Sequence, residues 1–317
     1  MSLPQDLPTN FKETVRCAAQ ILMTHQRVCD RRVLQSEAEQ LVLAAYRKEM
    51  GVKLSRLDLC FREAEAVPPS VVQQAFNWAI ARANGGVLQY LIGYQEFVNH
   101  EYQVDATVLV PRPETECLVA EVIRRLGASG GCPGVGIEVG LGSGAISIEL
   151  LSHWPQLTVL ASEFSGPAIS VAIKNSKNIL GLVGARRLTI LQVQEKNQVL
   201  EPFFGMEKPA DFLVTNPPYL VEDVSEVEDD VLTCEPHDAL FAPPGDPLMF
   251  YRKIAEQGRG YIKPEGWVFA EVPHERAQSI AQLFKENHWR TEVLLDLTQR
   301  ERVLVAQLIS EGDYGSN

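Results

Sequence analysis

Apolar residues recur at helical spacing through the first quarter of the chain. One predicted helix face carries the apolar residues Phe11, Val15, Ala18 and Leu22. Ser36, followed three residues later by Glu39, has the pattern of a capping box and predicts a helix start there. Another helix is expected to open at the Pro-Pro-Ser sequence of 68–70 and to close at the Asn-Gly-Gly sequence of 84–86. Residues 1–86 are therefore predicted to form a helical bundle domain.

After this region the pattern changes from helical to extended. Apolar and aromatic residues are interspersed with polar ones over 90–110, which is typical of short strands. We therefore expect a β-hairpin connector over 87–113. The Pro-Arg-Pro sequence at 111–113 favours an extended backbone, and a helix is predicted directly after it, over 114–126.

From residue 134 onward, apolar strand candidates alternate with helical stretches. Such alternation indicates a mostly parallel sheet with crossover helices on both faces. The seven predicted strands cover 135–139, 158–162, 188–193, 212–215, 267–271, 292–296 and 303–309. Only a short polar turn separates the last two strands, so they are expected to pair antiparallel. The predicted fold class is therefore α/β, with a seven-stranded doubly wound domain over 114–317.

Composition and charge disfavour several classes of function. The 317 residues carry a formal net charge of -12, and a surface of that sign repels phosphate, so direct binding to nucleic acid is not expected. Six acidic residues between 222 and 230 are most simply a solvated loop, and guidance of a basic protein partner is the alternative. The six cysteines form no C-x-x-C pair and are predicted to be reduced thiols that hold no metal. No stretch approaches the ~18 apolar residues of a membrane span, so we expect a cytoplasmic protein.

A glycine-rich turn follows the first predicted strand of the sheet. Its spacing is G-x-G-x-G, which differs from the G-x-G-x-x-G of dinucleotide-binding proteins, and an acidic residue stands just before it. This combination favours a ligand with a positive charge, such as the methionyl part of S-adenosylmethionine, over a pyrophosphate. A plain turn between strand and helix is the alternative. The residues expected to hold the ligand are Glu138, Gly140, Leu141, Gly142, Ser143 and Gly144.

Glu163 stands at the end of the second predicted strand of the sheet. A carboxylate in that position could accept hydrogen bonds from both ribose hydroxyls of an adenosine ligand. It could instead cap the helix that begins near residue 165. The distance along the chain from the glycine-rich turn favours the ribose role.

The sharpest signal is Asn216-Pro217-Pro218-Tyr219, directly after an apolar strand. Two consecutive prolines remove two N–H donors and leave the carbonyl groups free to face a substrate. The Asn216 side-chain oxygen and the Pro217 carbonyl could then hold the two hydrogens of an amide nitrogen, while the Tyr219 ring packs on the planar group. A simple Asn-Pro turn is the alternative.

Together these motifs resemble those of the HemK-type glutamine methyltransferases that modify peptide chain release factors. The resemblance covers nearly the full length, including the segment 109–116 and the Glu-Pro pair at 235–236. It implies a Rossmann-like class I methyltransferase domain, S-adenosylmethionine as donor, and the glutamine of a Gly-Gly-Gln loop in a release factor as acceptor. It also implies that Gln194 and Glu195 lie near the adenine, that Asn216 borders the donor as well, and that the helical domain recognises the substrate. We expect the protein to act as a monomer.

Three other interpretations stay open. A glutamine methyltransferase of a ribosomal protein would share both fold and chemistry. A methyltransferase of the adenine amino group in nucleic acid would suit the Asn-Pro-Pro-Tyr motif, but it must flip a base and bind phosphates, which the acidic composition disfavours. A noncatalytic binding protein is motivated by Leu141 and Gln194, which depart from the family pattern. Calorimetry with S-adenosylmethionine would separate this last class from the enzymes.

Overall fold

The computed structural model describes residues 7–24, 30–128, 132–221 and 234–309. The acidic stretch at 222–230 lies outside the described residues. Residue contacts divide the chain between Tyr94 and Gln95 into a helical unit and a sheet unit, and Cys234 groups with the helical unit. The domain limits expected from the sequence remain predictions.

The described part of the helical unit contains five α-helices. They are α1 (Phe11–Met23), α2 (Arg31–Met50), α3 (Arg56–Phe61), α4 (Pro69–Ala83) and α5 (Leu88–Ile92). The predicted apolar face of α1 is buried in the core of this unit. Helix α4 begins and ends where its proline and glycine signals indicate. Helix α5 was not predicted and occupies the start of the expected connector.

The predicted capping box at Ser36 is wrong. Helix α2 already begins at Arg31, because the Asp30 side chain accepts the backbone N–H of Arg32 and so satisfies a donor of the first turn. Ser36 then lies inside the helix. A capping box does occur at the start of α3, where the Ser55 and Asp58 side chains accept each other's backbone N–H groups.

A hairpin and a long helix precede the large sheet. The hairpin consists of β1 (Tyr94–Phe97) and β2 (His100–Gln103), and it is followed by α6 (Pro113–Ala128). Extended backbone at the Pro-Arg-Pro segment ends where α6 starts, since proline is well tolerated in the first turn of a helix but not in its interior.

The large sheet has seven strands in the described residues. They are β3 (Val135–Val139), β4 (Thr158–Glu163), β5 (Leu188–Gln192), β6 (Ala210–Thr215), β7 (Ile262–Glu271), β8 (Trp289–Leu295) and β9 (Glu301–Leu308). Their order is β5-β4-β3-β6-β7-β9-β8. The strands are parallel except β9, which pairs antiparallel with both neighbours. The predicted α/β class and the antiparallel final pair are confirmed.

Helices cover both faces of the sheet. The remaining α-helices of the described residues are α7 (Ala145–His153), α8 (Gly166–Gly184), α9 (His237–Leu240), α10 (Met249–Gln257) and α11 (Ala277–Glu286). Helices α6, α7 and α8 share one hydrophobic core with the sheet, and α10 and α11 share the other. On β6, Phe212 and Val214 enter the first core and Leu213 the second, because successive side chains of a strand point to opposite faces. No helix among the described residues is both long and apolar enough to cross a membrane.

Candidate active site

A cavity opens at the carboxyl ends of β3, β4 and β6. The strand order reverses between β3 and β6, which is where open α/β sheets bind their ligands. The cavity and its mouth to solvent together enclose about 1150 Å³. The predicted site residues that line it are Glu138, Gly140, Leu141, Gly142, Ser143, Glu163, Asn216, Pro217 and Pro218.

The remaining predicted residues do not belong to the lining that the described residues form. Gly144 is the N-cap of α7 instead. Gln194 and Glu195 are exposed to solvent, and Val193 and Lys196 on either side of them line the cavity. The Tyr219 ring packs against a hydrophobic core instead. The adenine role of Gln194 and Glu195 stays a prediction.

The glycine-rich turn is a tight backbone structure tied to the neighbouring strand. The N–H groups of Gly140 and Leu141 both donate to the Ser162 carbonyl at the end of β4, at 3.0 and 3.2 Å. Gly142 has a φ of +55°, and a Cβ added there would meet no atom within 4 Å. Gly144, with a φ of +84°, would bring a Cβ to 2.9 Å from Ile148. The turn thus needs glycine for its conformation and leaves open space beside Gly142.

Glu163 connects this turn to the next helix. Its Oε2 accepts the Gly142 N–H at 2.8 Å, and its Oε1 accepts the Ser165 N–H at 2.8 Å. Ser165 is the N-cap of α8. The carboxylate therefore lies on the cavity wall and also stabilises the start of α8, so the two roles weighed from the sequence are compatible. Each carboxylate oxygen can accept a second hydrogen bond from a ligand.

Glu138 is buried beneath the turn, with 1% of its surface exposed. Its Oε2 accepts hydrogen bonds from the backbone N–H and the hydroxyl of Ser147 in α7. Burial raises the pKa of the Glu138 carboxyl to about 8, although the Ser147 hydrogen bonds act in the opposite direction. The group also borders the cavity, so it can respond to a positively charged ligand by ionising.

Asn216 follows β6 on the opposite side of the cavity from Glu163. Its Nδ2 donates to the Thr115 hydroxyl at 3.1 Å, and Thr115 donates to Oε2 of Glu271 at 2.6 Å. Glu271 ends β7 and is 2% exposed. Burial raises the pKa of the Glu271 carboxyl, and the Thr115 hydrogen bond and the charge of Arg302 oppose that rise.

Tyr219 does not extend into the cavity. Its ring packs against the hydrophobic core that α10 and α11 share with the sheet. Its hydroxyl lies 3.5 Å from Oε1 of Glu271, and its carbonyl accepts from Arg276 at 3.4 Å. Burial raises the pKa of the Tyr219 hydroxyl. In this conformation Tyr219 supports the Asn-Pro-Pro-Tyr segment from behind.

The sequence analysis assigned no role to several residues of the site. Glu271 is an acid at the end of an apolar strand, the same signal that identified Glu163, and could have been found. Thr115 and Arg112 belong to the segment 109–116 that contributes to the resemblance, but no local pattern indicated what they contact. Arg112 lines the cavity and forms a 2.6 Å ion pair with buried Glu235. Burial raises the pKa of Glu235, and the Arg112 charge opposes the rise.

Charged groups also meet at the mouth of the cavity. Lys196, after β5, pairs with Asp238 of α9 at 2.6 Å, and both residues belong to the lining. Among the described residues, no group of three His, Cys, Asp or Glu side chains is placed to hold a metal ion. The acids and bases of the cavity are therefore arranged as ion pairs and hydrogen-bond acceptors.

Comparison with known proteins identifies the family. A scan against models of protein families finds no match. The release factor glutamine methyltransferase of Bacteroides thetaiotaomicron is 34% identical over 228 residues, which cover 69% of this chain and 75% of that protein. The release factor glutamine methyltransferase of Moorella thermoacetica is 34% identical over 256 residues, covering 80% of this chain and 86% of that protein.

A solved structure adds information on the fold alone. The hMettl16 catalytic domain, in complex with the MAT2A 3'UTR hairpin 6, superposes with a TM-score of 0.50 at 14% identity, covering 74% of this chain and 83% of that chain. The sheet order, the cavity at its switch point and the sequence relatives agree, and this chain belongs to the release factor glutamine methyltransferase family.

Proposed function

We propose that this protein transfers a methyl group from S-adenosylmethionine to the side-chain amide nitrogen of a glutamine in a peptide chain release factor. The observation that carries the proposal is a single cavity lined on one side by the glycine-rich turn and on the other by Asn216, Pro217 and Pro218. A donor and an acceptor bound on these two sides would meet inside it. We call these sides the donor half and the acceptor half.

The residues of the donor half fit S-adenosylmethionine. The space beside Gly142, which a Cβ would enter, admits a ligand close to the backbone. The Glu163 carboxylate retains lone pairs for ribose hydroxyls, and Glu138 can balance the ammonium of the methionyl part. Gln194 and Glu195 remain the proposed neighbours of the adenine. When bound, the donor supplies a methyl group on a positively charged sulfur, which is a good leaving group.

The acceptor half would hold the glutamine amide. An amide nitrogen is a weak nucleophile because its lone pair is delocalised into the carbonyl. Acceptors for its two hydrogens, the Asn216 Oδ1 and the Pro217 carbonyl, favour a pyramidal nitrogen and so raise its reactivity. Pro217 and Pro218 contribute no N–H that would compete for these acceptors. No strong base is needed, since the proton can leave after the methyl group has moved.

The helical unit is proposed to recognise the protein substrate. Its helix α3 exposes two large apolar side chains, Leu57 at 66% and Phe61 at 81%. Leu57 and Phe61 are four residues apart on the helix, so they lie on one face and could together bury apolar surface against a protein partner. The net charge of -12 favours a protein over a nucleic acid as partner. We further propose that the protein acts as a monomer in the cytoplasm, where translation terminates.

A methylation assay with radiolabelled donor tests this function. Purified release factor, its Gly-Gly-Gln to Gly-Gly-Ala variant, a ribosomal protein and adenine-containing DNA and RNA are compared as acceptors. Label in the wild-type release factor and none in the variant supports the proposal. Label in the ribosomal protein or the nucleic acid would support the corresponding alternative. Binding of donor without transfer to any acceptor would support a noncatalytic protein.

A further inference from the structure

Asn216 is held by a chain of hydrogen bonds from residues far apart in the sequence. Its Nδ2 donates to Thr115, near the start of α6, and Thr115 donates to Glu271 at the end of β7. Thr115 is 5% exposed and Glu271 is 2% exposed, so bulk water hardly competes for these bonds. We call this chain of three residues the Asn216 relay.

The relay has a direction that follows from its chemistry. The Thr115 hydroxyl has a single hydrogen, which it donates to Oε2 of Glu271; this arrangement holds while Glu271 is a carboxylate, which only accepts hydrogen bonds. The lone pairs of the Thr115 oxygen then face Asn216, and lone pairs can receive an N–H group but not a carbonyl oxygen. The NH₂ group of Asn216 must therefore turn toward Thr115, and its Oδ1 turns away.

Two hydroxyl groups and one charged side chain surround the Glu271 carboxyl. The Tyr219 hydroxyl lies 3.5 Å from Oε1, so hydroxyl groups face both oxygens of the carboxylate. Burial raises the pKa of the Glu271 carboxyl, and the Thr115 hydrogen bond and the charge of Arg302 on the neighbouring strand β9 oppose that rise. The Tyr251 hydroxyl donates to the Glu271 carbonyl at 2.8 Å and holds the end of β7 in place.

We propose that Glu271 and Thr115 are positioning residues that select one orientation of the Asn216 carboxamide and so present its oxygen to the acceptor nitrogen. The inference rests on the role proposed above for Asn216. An Asn216 side chain free to turn over would present its NH₂ group to the NH₂ group of the substrate for part of the time, and two donors cannot bond. The relay should therefore act on turnover and leave donor affinity unchanged.

Thr115→Val tests the proposal because it removes the hydroxyl with little change in volume. We expect kcat on a release factor to fall about 10- to 100-fold, the scale of losing an orienting contact. The donor Kd, measured by calorimetry, should stay within about threefold. Thr115→Ser restores the hydroxyl and should recover most of kcat. Thr291→Val is the matched control, since the Thr291 hydroxyl on the edge strand β8 is buried and has no hydrogen-bond partner among the described residues.

A double variant shows whether Thr115 acts through Asn216. If it does, Thr115→Val combined with Asn216→Ala is no slower than Asn216→Ala alone, because the oriented group is already absent. A wild-type kcat in Thr115→Val, or a further tenfold loss in the double variant, would overturn the relay. Failure of the proposed function looks different, since the wild-type chain itself would then not methylate the release factor.

The side-chain amide signal of Asn216 in a ¹H–¹⁵N spectrum gives a readout that needs no turnover. It is assigned by its loss in Asn216→Ala. The signal should move in Thr115→Val and return toward its original position in Thr115→Ser. If Thr115→Val does not fold, Glu271→Leu removes the terminal acceptor at similar volume and should give the same shift and the same loss of kcat. An unmoved signal with full kcat in the folded variant contradicts the proposal.

Discussion

The two halves of the cavity are built in different ways. In the donor half, the glycine-rich turn between β3 and α7 is held mainly by backbone groups and by Glu163. In the acceptor half, Asn216 depends on side chains of α6 and β7. The donor half is therefore specified by two short segments of sequence. The acceptor half requires that three distant segments meet correctly.

This difference predicts how each half should fail. A backbone turn is disturbed by adding atoms or by removing the carboxylate that holds it, and the loss should appear in donor affinity. A relay of side chains is disturbed by removing one hydroxyl or amide, and the loss should appear in turnover. A single substitution that lowers both donor affinity and turnover would argue against a division of the cavity into two halves.

The largest effect is expected for Asn216→Ala. If the Asn216 oxygen accepts from the substrate nitrogen mainly as it pyramidalises, the variant should lower kcat by about 100-fold or more, as for loss of a preorganised contact to a transition state. Donor affinity should stay within a few fold. Single-turnover kinetics and calorimetry measure the two quantities separately. Full activity in this variant would remove Asn216 from the acceptor half.

Glu163→Ala should weaken donor binding by about 1.5 to 3 kcal/mol, the usual range for a charged hydrogen-bond partner. Its matched control is Asp211→Ala. The Asp211 carboxylate also accepts two backbone N–H groups, those of Gly134 and Val135, at the opposite end of β3. Both variants should lose stability on thermal denaturation, but only Glu163→Ala should lose donor affinity. Equal affinities in the two variants would leave Glu163 a structural cap.

Gly142→Ala should weaken donor binding by about 1 to 3 kcal/mol, because its Cβ enters the space proposed for the ligand. The φ of +55° also strains any residue with a Cβ, so some stability is lost as well. Gly205→Ala is the control, since Gly205 has a φ of +80° and equally open surroundings outside the cavity. The two variants should lose similar stability and differ in calorimetric donor affinity. A normal affinity in Gly142→Ala would place the donor elsewhere.

A further prediction concerns the stability of the protein at different pH values. Because burial raises the pKa of Glu138 to about 8, the folded protein binds this proton more tightly than the unfolded chain does. The resulting stability is fully present below the unfolded pKa of about 4.3 and is lost as pH rises through about 8. Relative to Glu138→Gln, the wild type should thus become steadily less stable between pH 5 and 8 and then level off. Denaturant unfolding of both proteins measures the difference, and a flat difference would show that Glu138 ionises normally.

Much of the fold could be predicted because its strands are apolar runs separated by clear breaks. All seven predicted strands occur in the sheet. Strand β7 begins at Ile262, earlier than predicted. The prediction missed this start because Lys263, Pro264 and Glu265 interrupt the apolar pattern. The helix start at Ser36 was predicted wrongly for a related reason. The first turn of α2 is mostly exposed and shows little apolar pattern, so the actual N-cap at Asp30 was missed.

The residues of the candidate site also differ in whether the sequence predicted their positions. The glycine-rich turn and the Asn-Pro-Pro-Tyr motif were visible because each is contiguous in sequence and follows a strand. The position of the Tyr219 side chain could not be predicted, because it depends on tertiary contacts. Its ring packs against the core, and its hydroxyl lies near Glu271. Gln194 and Glu195 were placed near the ligand by resemblance, whereas Val193 and Lys196 line the cavity.

The sequence by itself determined the α/β architecture and the glycine-rich turn that forms one cavity wall, and it predicted Asn216 as the residue that faces the acceptor. Local patterns suffice for these features, because strands, turns and motif residues depend on near neighbours in the chain. Only the tertiary structure decided which groups orient Asn216. Thr115 lies 101 residues before Asn216 and 156 residues before Glu271, and no local pattern records their contact. The contact exists because β6 and β7 are neighbours in the sheet and α6 packs against β7.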